Sequence, residues 1–168
     1  ITDYWNKTLS INLTAPYFLS LLCLPLLRKT KESNIVNITS LNGKIAMLDN
    51  PAYNASKGGL SALTFSQAMD FAKYKIRVNG VSPGYIKTNM TRKSYNDSIQ
   101  YKKRVSRMML DNYGTPEDVA NTVLFLSSSE AKYINSTEVV VDGGLLKKVI
   151  KKNINEKLKY ITNRRHWH

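Results

Sequence analysis

From Asn34 to Lys57 the chain reads NIVNITSLNGKIAMLDNPAYNASK. Asn34 to Thr39 is a short run rich in β-branched residues, the pattern of a mostly buried strand. Leu41 to Asn50 has the composition of a loop, with Gly43 and Asp49-Asn50 as breakers. Pro51 opens a helix at the position where the missing proline N–H goes unused. That helix places Tyr53 and Lys57 at i and i+4, on one face and one turn apart. A buried strand that leads through a loop into a helix is the repeating unit of a parallel α/β sheet.

The same stretch carries chemistry. A lysine beside a phenol favours the phenolate, and a tyrosine so placed can give or take a proton at a carbonyl or alcohol oxygen. A serine hydroxyl near that oxygen, here Ser40, can hold it by a hydrogen bond. Such a set suits carbonyl reduction or alcohol oxidation, and it needs a hydride partner. Tyr-x-x-x-Lys alone is weak evidence, because many helices carry a half-buried aromatic one turn from a solvated amine. Thr39 is the nearest rival to Ser40, and strand alternation sends the two side chains to opposite faces.

The alternation of strand and helix continues on both sides. Thr2-Asp3 caps a helix expected to run to about Leu27. The helix opened by Pro51 is expected to reach about Lys73, with Gly58-Gly59 weakening it where another segment packs closely. Ile76 to Val81 reads as a second buried strand, broken at Pro83-Gly84. Residues 92–112 look like a polar, mobile helical segment. Thr115-Pro116-Glu117-Asp118 combines an N-cap, a first-turn proline and first-turn acids, and starts a helix ending near Leu126. Glu138 to Val141 is a third strand, stopped by Asp142-Gly143-Gly144. The expected architecture is α/β, a parallel sheet with helices on both faces.

Composition narrows the classes. A length of 168 residues with 42% hydrophobic content fits one globular domain. The apolar stretch from Ala15 to Leu27 is shorter than the ~18 residues of a membrane span and contains Pro16 and Pro25. The single cysteine, Cys23, excludes an internal disulfide and fits a reducing, cytoplasmic setting. The sequence begins at Ile1 and shows no signal or transit peptide. His166 and His168 flank Trp167 and read as tail residues, so no metal site is expected. The net charge of +13 is unevenly placed. Residues 145–168 carry eight lysines and arginines against Glu156, and residues 91–113 carry six against Asp97 and Asp111. A basic tail can meet nucleic acid or an acidic surface, but no nucleic-acid-binding motif accompanies it.

Taken together, several motifs resemble the short-chain dehydrogenase/reductase family. They are Asn12-Leu13-Thr14, Asn37-Ile38-Thr39-Ser40, Tyr53 to Leu60, Ile76 to Thr88, Gly114 to Ala120 and Val141 to Gly144. Their order and spacing match over about residues 3–146. The nearest-looking subgroup is the bacterial 3-oxoacyl-(acyl-carrier-protein) reductases and their sugar- or steroid-alcohol relatives. The resemblance implies a Rossmann-type doubly wound parallel sheet. It implies that Tyr53 is the general acid/base and that Lys57 tunes it and holds the nicotinamide ribose. It also implies that Ser40 orients the substrate oxygen and that Asn12 supports a water-linked proton path to Lys57. Pro83, Gly84, Ile86 and Thr88 would line the nicotinamide, with Ile86 contributing backbone contacts and Thr88 a hydroxyl. Residues 89–113 would form a substrate lid. The implied cofactor is NAD or NADP, and the implied substrate is a small carbonyl or alcohol, possibly linked to a carrier protein. Helices matching residues 3–28 and 51–73 would pair across a homodimer or homotetramer.

The chain departs from the family pattern in one respect. It contains neither Gly-x-x-x-Gly-x-Gly nor Asn-Asn-Ala-Gly, so the turn that seats a dinucleotide pyrophosphate at a helix N-terminus is missing. Residues 1–146 are therefore expected to be the C-terminal part of one Rossmann domain, a fragment missing its N-terminal dinucleotide-binding units, and 147–168 a basic tail. The edge of the Asn34–Thr39 strand should be open, and dinucleotide binding by this chain weak or absent. A truncated, non-catalytic protein that keeps a dimerisation surface is the alternative reading.

Overall fold

The structure is a computed structural model, and it describes residues 2–46, Leu48 and residues 50–148. The expected basic tail from residue 149 onward, with His166 and His168, lies outside the described residues.

A helix opens the chain in three parts: α1 (Thr2–Leu9), a π-helical segment (Ser10–Thr14) and α2 (Ala15–Leu27). The wide turn has a local cause. Proline at position 16 has no N–H to offer the Asn12 carbonyl, and its ring would crowd that oxygen in a regular helix. The Ala15 N–H instead reaches back to the Ser10 carbonyl, an i to i−5 bond. The helix therefore runs unbroken from Thr2 to Leu27, through both prolines, and an 18-residue window within it has a mean hydropathy of 1.5. By length and composition alone it could cross a membrane, contrary to the expectation from Ala15–Leu27 taken by itself.

Strand β1 (Asn34–Ile38) follows, then a 3₁₀ turn (Leu41–Gly43), α3 (Pro51–Ala72) and β2 (Arg77–Pro83). Two short helices, α4 (Arg92–Asn96) and α5 (Ser98–Val105), precede α6 (Pro116–Ser127), a 3₁₀ turn (Ser129–Ala131) and β3 (Glu138–Val141). The three strands form one parallel sheet in the order β1-β2-β3. Helix α6 starts as its sequence predicts. The Thr115 hydroxyl accepts from the Asp118 N–H while the Asp118 carboxylate accepts from the Thr115 N–H, a complete capping box.

Neighbouring side chains of each strand point to opposite faces, and each face has its own core. On one face Val78 and Ile35 pack with Ala68, Phe71 and Ile76 and with Leu21, Leu24 and Leu27 of α2. On the other, Val81, Val36, Val139 and Val141 pack with Leu126, Val119 and Val123 of α6. Arg77 ties the second layer down, because its guanidinium donates to the carbonyls of Leu126, Ile134 and Ser128 at 2.9–3.3 Å. Strand β1 is only half-buried, unlike the mostly buried strand its composition suggests. It pairs with β2 on one side and forms an edge of the sheet on the other.

Candidate active site

The C-terminal ends of β1 and β2 open into one cavity of about 590 Å³. Ser40, Tyr53, Lys57, Pro83, Gly84, Ile86 and Thr88 all line it. Residues spread over some fifty positions of sequence therefore meet at the end of a parallel sheet, where ligands bind in open α/β folds. Asn12 stands behind the cavity, not in it.

Each wall has a local cause. Ser40 leaves β1 in an extended conformation (φ −169°, ψ 156°) and caps the 3₁₀ turn, its Oγ accepting from the Asn42 N–H at 3.2 Å. That turn packs directly on the α3 backbone at Lys57. Tyr53 and Lys57 share one face of α3, and the Lys57 ammonium lies 5.8 Å from the centre of the Tyr53 ring. Lys57 Nζ donates to the Ile38 carbonyl at 2.8 Å. An ammonium has three donors, so two remain for the cavity. Burial holds the Lys57 ammonium below its ordinary pKa. Asn12 reaches the same helix from the π-helical turn, donating from Nδ2 to Ser56 Oγ at 3.1 Å, while Ser56 donates to the Tyr53 carbonyl at 2.8 Å.

The opposite wall is the loop after β2. A parallel bridge joins Ile86 to Gly114, with the Lys87 N–H on the Gly114 carbonyl and the Gly114 N–H on the Tyr85 carbonyl. Thr91 staples the loop: its Oγ1 accepts from the Thr88 N–H at 2.9 Å and donates to the Ile86 carbonyl. Ile86 is expected to offer its backbone to the nicotinamide, and one lone pair of its carbonyl is thus already engaged. Thr91 escaped the sequence reading, although Thr88-x-x-Thr91 has the spacing of a hydroxyl-closed turn.

The segment expected to form a lid is more anchored than its charge suggests. Tyr113 is buried, and Tyr85, Tyr95 and Tyr101 gather around it with ring centres 5.3–6.3 Å away. Asp97 caps α5 by accepting from the N–H groups of Ile99 and Gln100. Two lid cations are engaged by Tyr85, Arg104 over its ring and Arg107 at its hydroxyl. Among the described residues no cluster of histidine, cysteine, aspartate and glutamate could hold a metal ion.

A parallel sheet layered by helices, with ligand-sized space at the C-terminal ends of its strands, is part of a Rossmann-type α/β fold. The family model described as enoyl-(acyl carrier protein) reductase matches residues 2–146. Among curated proteins, the chain is 38% identical over 141 residues to the 3-oxoacyl-(acyl-carrier-protein) reductase FabG of Buchnera aphidicola subsp. Schizaphis graminum, covering 84% of this chain and 57% of that protein. It is 36% identical over 143 residues to the 7alpha-hydroxysteroid dehydrogenase of Bacteroides fragilis, covering 85% and 55%. Among solved structures, a 4-hydroxyisoleucine dehydrogenase mutant complexed with NADH and succinate superposes with a TM-score of 0.86 at 34% identity, covering 89% of this chain and 62% of that one. A putative 2-deoxy-d-gluconate 3-dehydrogenase from Agrobacterium tumefaciens with bound NADP gives 0.82 at 34%, covering 86% and 59%. The chain belongs to the short-chain dehydrogenase/reductase family, whose members bind NAD(P). It spans little more than half the length of the curated relatives it matches.

Proposed function

We propose that this chain carries the acid/base apparatus of an NAD(P)-dependent oxidoreductase acting on a carbonyl or alcohol, with Tyr53 as the proton donor and acceptor. The convergence of Ser40, Tyr53 and Lys57 on one cavity with the Pro83–Thr88 loop carries this reading. The cavity fits the nicotinamide end of a dinucleotide. Lys57 has donors free for ribose hydroxyls, and Gly84, Ile86 and Thr88 line the facing wall. The bound cofactor would supply or accept the hydride. Tyr53 would protonate the substrate oxygen in reduction and deprotonate it in oxidation. Ser40 would hold that oxygen as charge develops on it. Lys57 would stand beside the phenol, its ammonium 5.8 Å from the ring centre. Asn12 would steady this helix through Ser56, and the carbonyl of Asn12, which gets no N–H from Pro16, would support proton relay to Lys57.

The substrate class suggested by the relatives is an oxoacyl group linked to a carrier protein or a small alcohol, in a cytoplasmic setting. The lysines and arginines of α5 and its flank would suit an acidic carrier. Residues 1–146 form the C-terminal part of the catalytic domain in this reading, and the tail from 147 is an appendage.

The direct test joins this chain to the part of a relative that it does not span. That part of the Buchnera reductase, fused in frame before Ile1, would give a chimera to assay for NADH and NADPH oxidation against a panel of carbonyls. Tyr53→Phe is expected to lower turnover about 10²–10⁴-fold, the usual weight of general acid/base catalysis. Unchanged turnover in that variant refutes the assignment.

One observation favours a second reading, a non-catalytic protein that keeps an association surface. Phe18, Leu19, Leu22 and Leu26 of α2 are exposed, as are Phe65 and Met69 of α3. Exposed apolar side chains in such number mark surfaces that something else covers. A chimera that binds NAD(P)H but turns over no carbonyl would favour it.

A further inference from the structure

Glu138 begins β3, and its side chain is only 2% exposed. The carboxylate turns inward beneath the turn that carries Ser40. Lys44, which ends that turn, forms an ion pair with it, and the Lys44 side chain keeps 28% of its surface exposed. Ser61 Oγ, one turn beyond Lys57 on α3, lies 2.9 Å from Glu138 Oε1 and 3.2 Å from the Lys57 carbonyl. The Thr39 hydroxyl, next to Ser40, donates to the Val81 carbonyl at 3.0 Å. Burial pushes the Glu138 carboxyl up, but Lys44, with the Thr39 and Ser61 hydroxyls, outweighs it and holds the group below its ordinary range.

Gly80 shows how the group is accommodated. It pairs with Glu138 across β2 and β3, and a side-chain carbon there would come within 2.5 Å of Glu138 Cγ. Glycine inside a strand weakens it and marks close approach of another group. Here that group is the stem of Glu138. A buried carboxylate with several donors is costly to break, because losing a partner leaves charge without compensation.

We propose that Glu138 is a positioning residue: by binding Lys44 and Ser61 at one carboxylate, it holds the turn bearing Ser40 and the α3 turn bearing Lys57 at a fixed separation. The role rests on the reading of Ser40 and Lys57 as site residues. It adds a residue that touches neither substrate nor cofactor and comes from the last strand of the sheet. Its two donors belong to the turn after β1 and to α3, so one side chain joins the segments that supply the serine and the lysine.

The test has two arms. In the 168-residue chain, amide hydrogen exchange is followed by NMR for Gly43, Lys44 and Ile45, whose N–H groups close the turn onto Ser40 and Leu41. Glu138→Ala and Lys44→Met should each speed exchange at these amides about tenfold, with the Thr39 amide on the β2 ladder changing less than about threefold. Lys44→Arg keeps the cation and should restore protection. Glu138→Gln, which removes the charge but keeps the side-chain stem against Gly80, provides a variant that folds even where Glu138→Ala does not. A uniform change at all amides, or none at the turn, overturns the proposal.

In the chimera, the same two variants should lower kcat about tenfold while KM for NAD(P)H holds, as misplacement of a reacting group does. Selective loss of turn protection with unchanged kcat also overturns the positioning role. Turnover that survives Tyr53→Phe refutes the underlying assignment of the site and leaves the exchange result standing.

Discussion

Two glycines face each other where the serine turn meets α3, and alanine at each should have opposite effects. A Cβ on Gly43 would lie 2.9 Å from the backbone C and O of Lys57 and 3.0 Å from the Gly58 nitrogen. Those are main-chain atoms of a 22-residue helix, so they cannot swing aside. Restoring ordinary contact requires the turn to retreat by about 0.5 Å, and overpacking of this kind costs about 1–3 kcal/mol. A Cβ on Gly58 would meet Gly43 at 3.7–3.9 Å, which is ordinary contact. There the helical preference for alanine over glycine should dominate, a gain of about 0.5–1 kcal/mol. Neither glycine has positive φ, so backbone strain does not enter. At this chain length 1 kcal/mol moves Tm by about 2–4 °C. Gly43→Ala should therefore melt about 4–8 °C lower for a 2 kcal/mol cost, and Gly58→Ala about 1–4 °C higher. Far-UV circular dichroism melts of the three proteins read both shifts. Gly43→Ala melting at or above the parent, or Gly58→Ala melting below it, refutes the argument that the turn is seated on the Lys57 backbone.

Lys57→Met should stabilise the fold at neutral pH while abolishing turnover in the chimera. Burial depresses the folded pKa of Lys57 below 10.5. The protonated form is therefore disfavoured in the folded state, and the penalty is fully present below the folded pKa. It disappears as the pH rises towards 10.5, where the folded and unfolded chains bind the same number of protons. Denaturant melts across that range should show the advantage of Lys57→Met shrinking, and an advantage that grows with pH contradicts the sign. Thr115→Ala removes the α6 cap and should cost about 1 kcal/mol in urea unfolding. Bonds from Thr115 hold the exposed Asp118 carboxyl below 3.8, so its share of the capping box is present above that pH and lost on acidification below it.

The elements that sequence revealed are those with local causes. β1, α3 and α6 start where β-branched runs, Pro51 and Thr115-Pro116 say they should, because propensity and capping act within a few residues. That Tyr53 and Lys57 share a helix face was legible from their spacing, and with Ser40 they line one cavity. What stayed hidden depends on distant partners. The π-helical turn at Ser10–Thr14 has only one local clue, Pro16 four residues after Asn12. Residues 92–112 read as polar because charge dominates the count, yet Tyr101 stacks on Tyr113 and Tyr95 meets it edge-on. Glu138 read as the polar first residue of a strand. Only Gly80, a glycine out of place inside β2, hinted that a side chain from the next strand would need its space.

Two apolar surfaces remain bare, and they need different covers. The outward side of α2 presents Phe18, Leu19, Leu22 and Leu26, while Asn12 and Ser20 sit on the packed side with bonds to Ser56 and the Pro16 carbonyl. Its backbone is satisfied within the helix, so any apolar surface of matching shape can cover it. The free side of β1 is a strand edge, and beside it lies a groove of about 670 Å³ lined by Leu19, Cys23, Leu27, Ile35 and Val36. An edge also presents main-chain donors and acceptors, which only another strand in register can pair. The cavity lined by Ser40, Tyr53 and Lys57 belongs to neither surface. Its walls come from the C-terminal ends of β1 and β2, from α3, from the loop after β2 and from the start of α6. A strand added beside β1, followed by a glycine turn and a helix N-terminus, would extend that cavity towards a diphosphate without moving Ser40, Tyr53 or Lys57. In the proposed reading the chain carries the proton-handling end of the site, and the hydride chemistry would be added at the β1 edge.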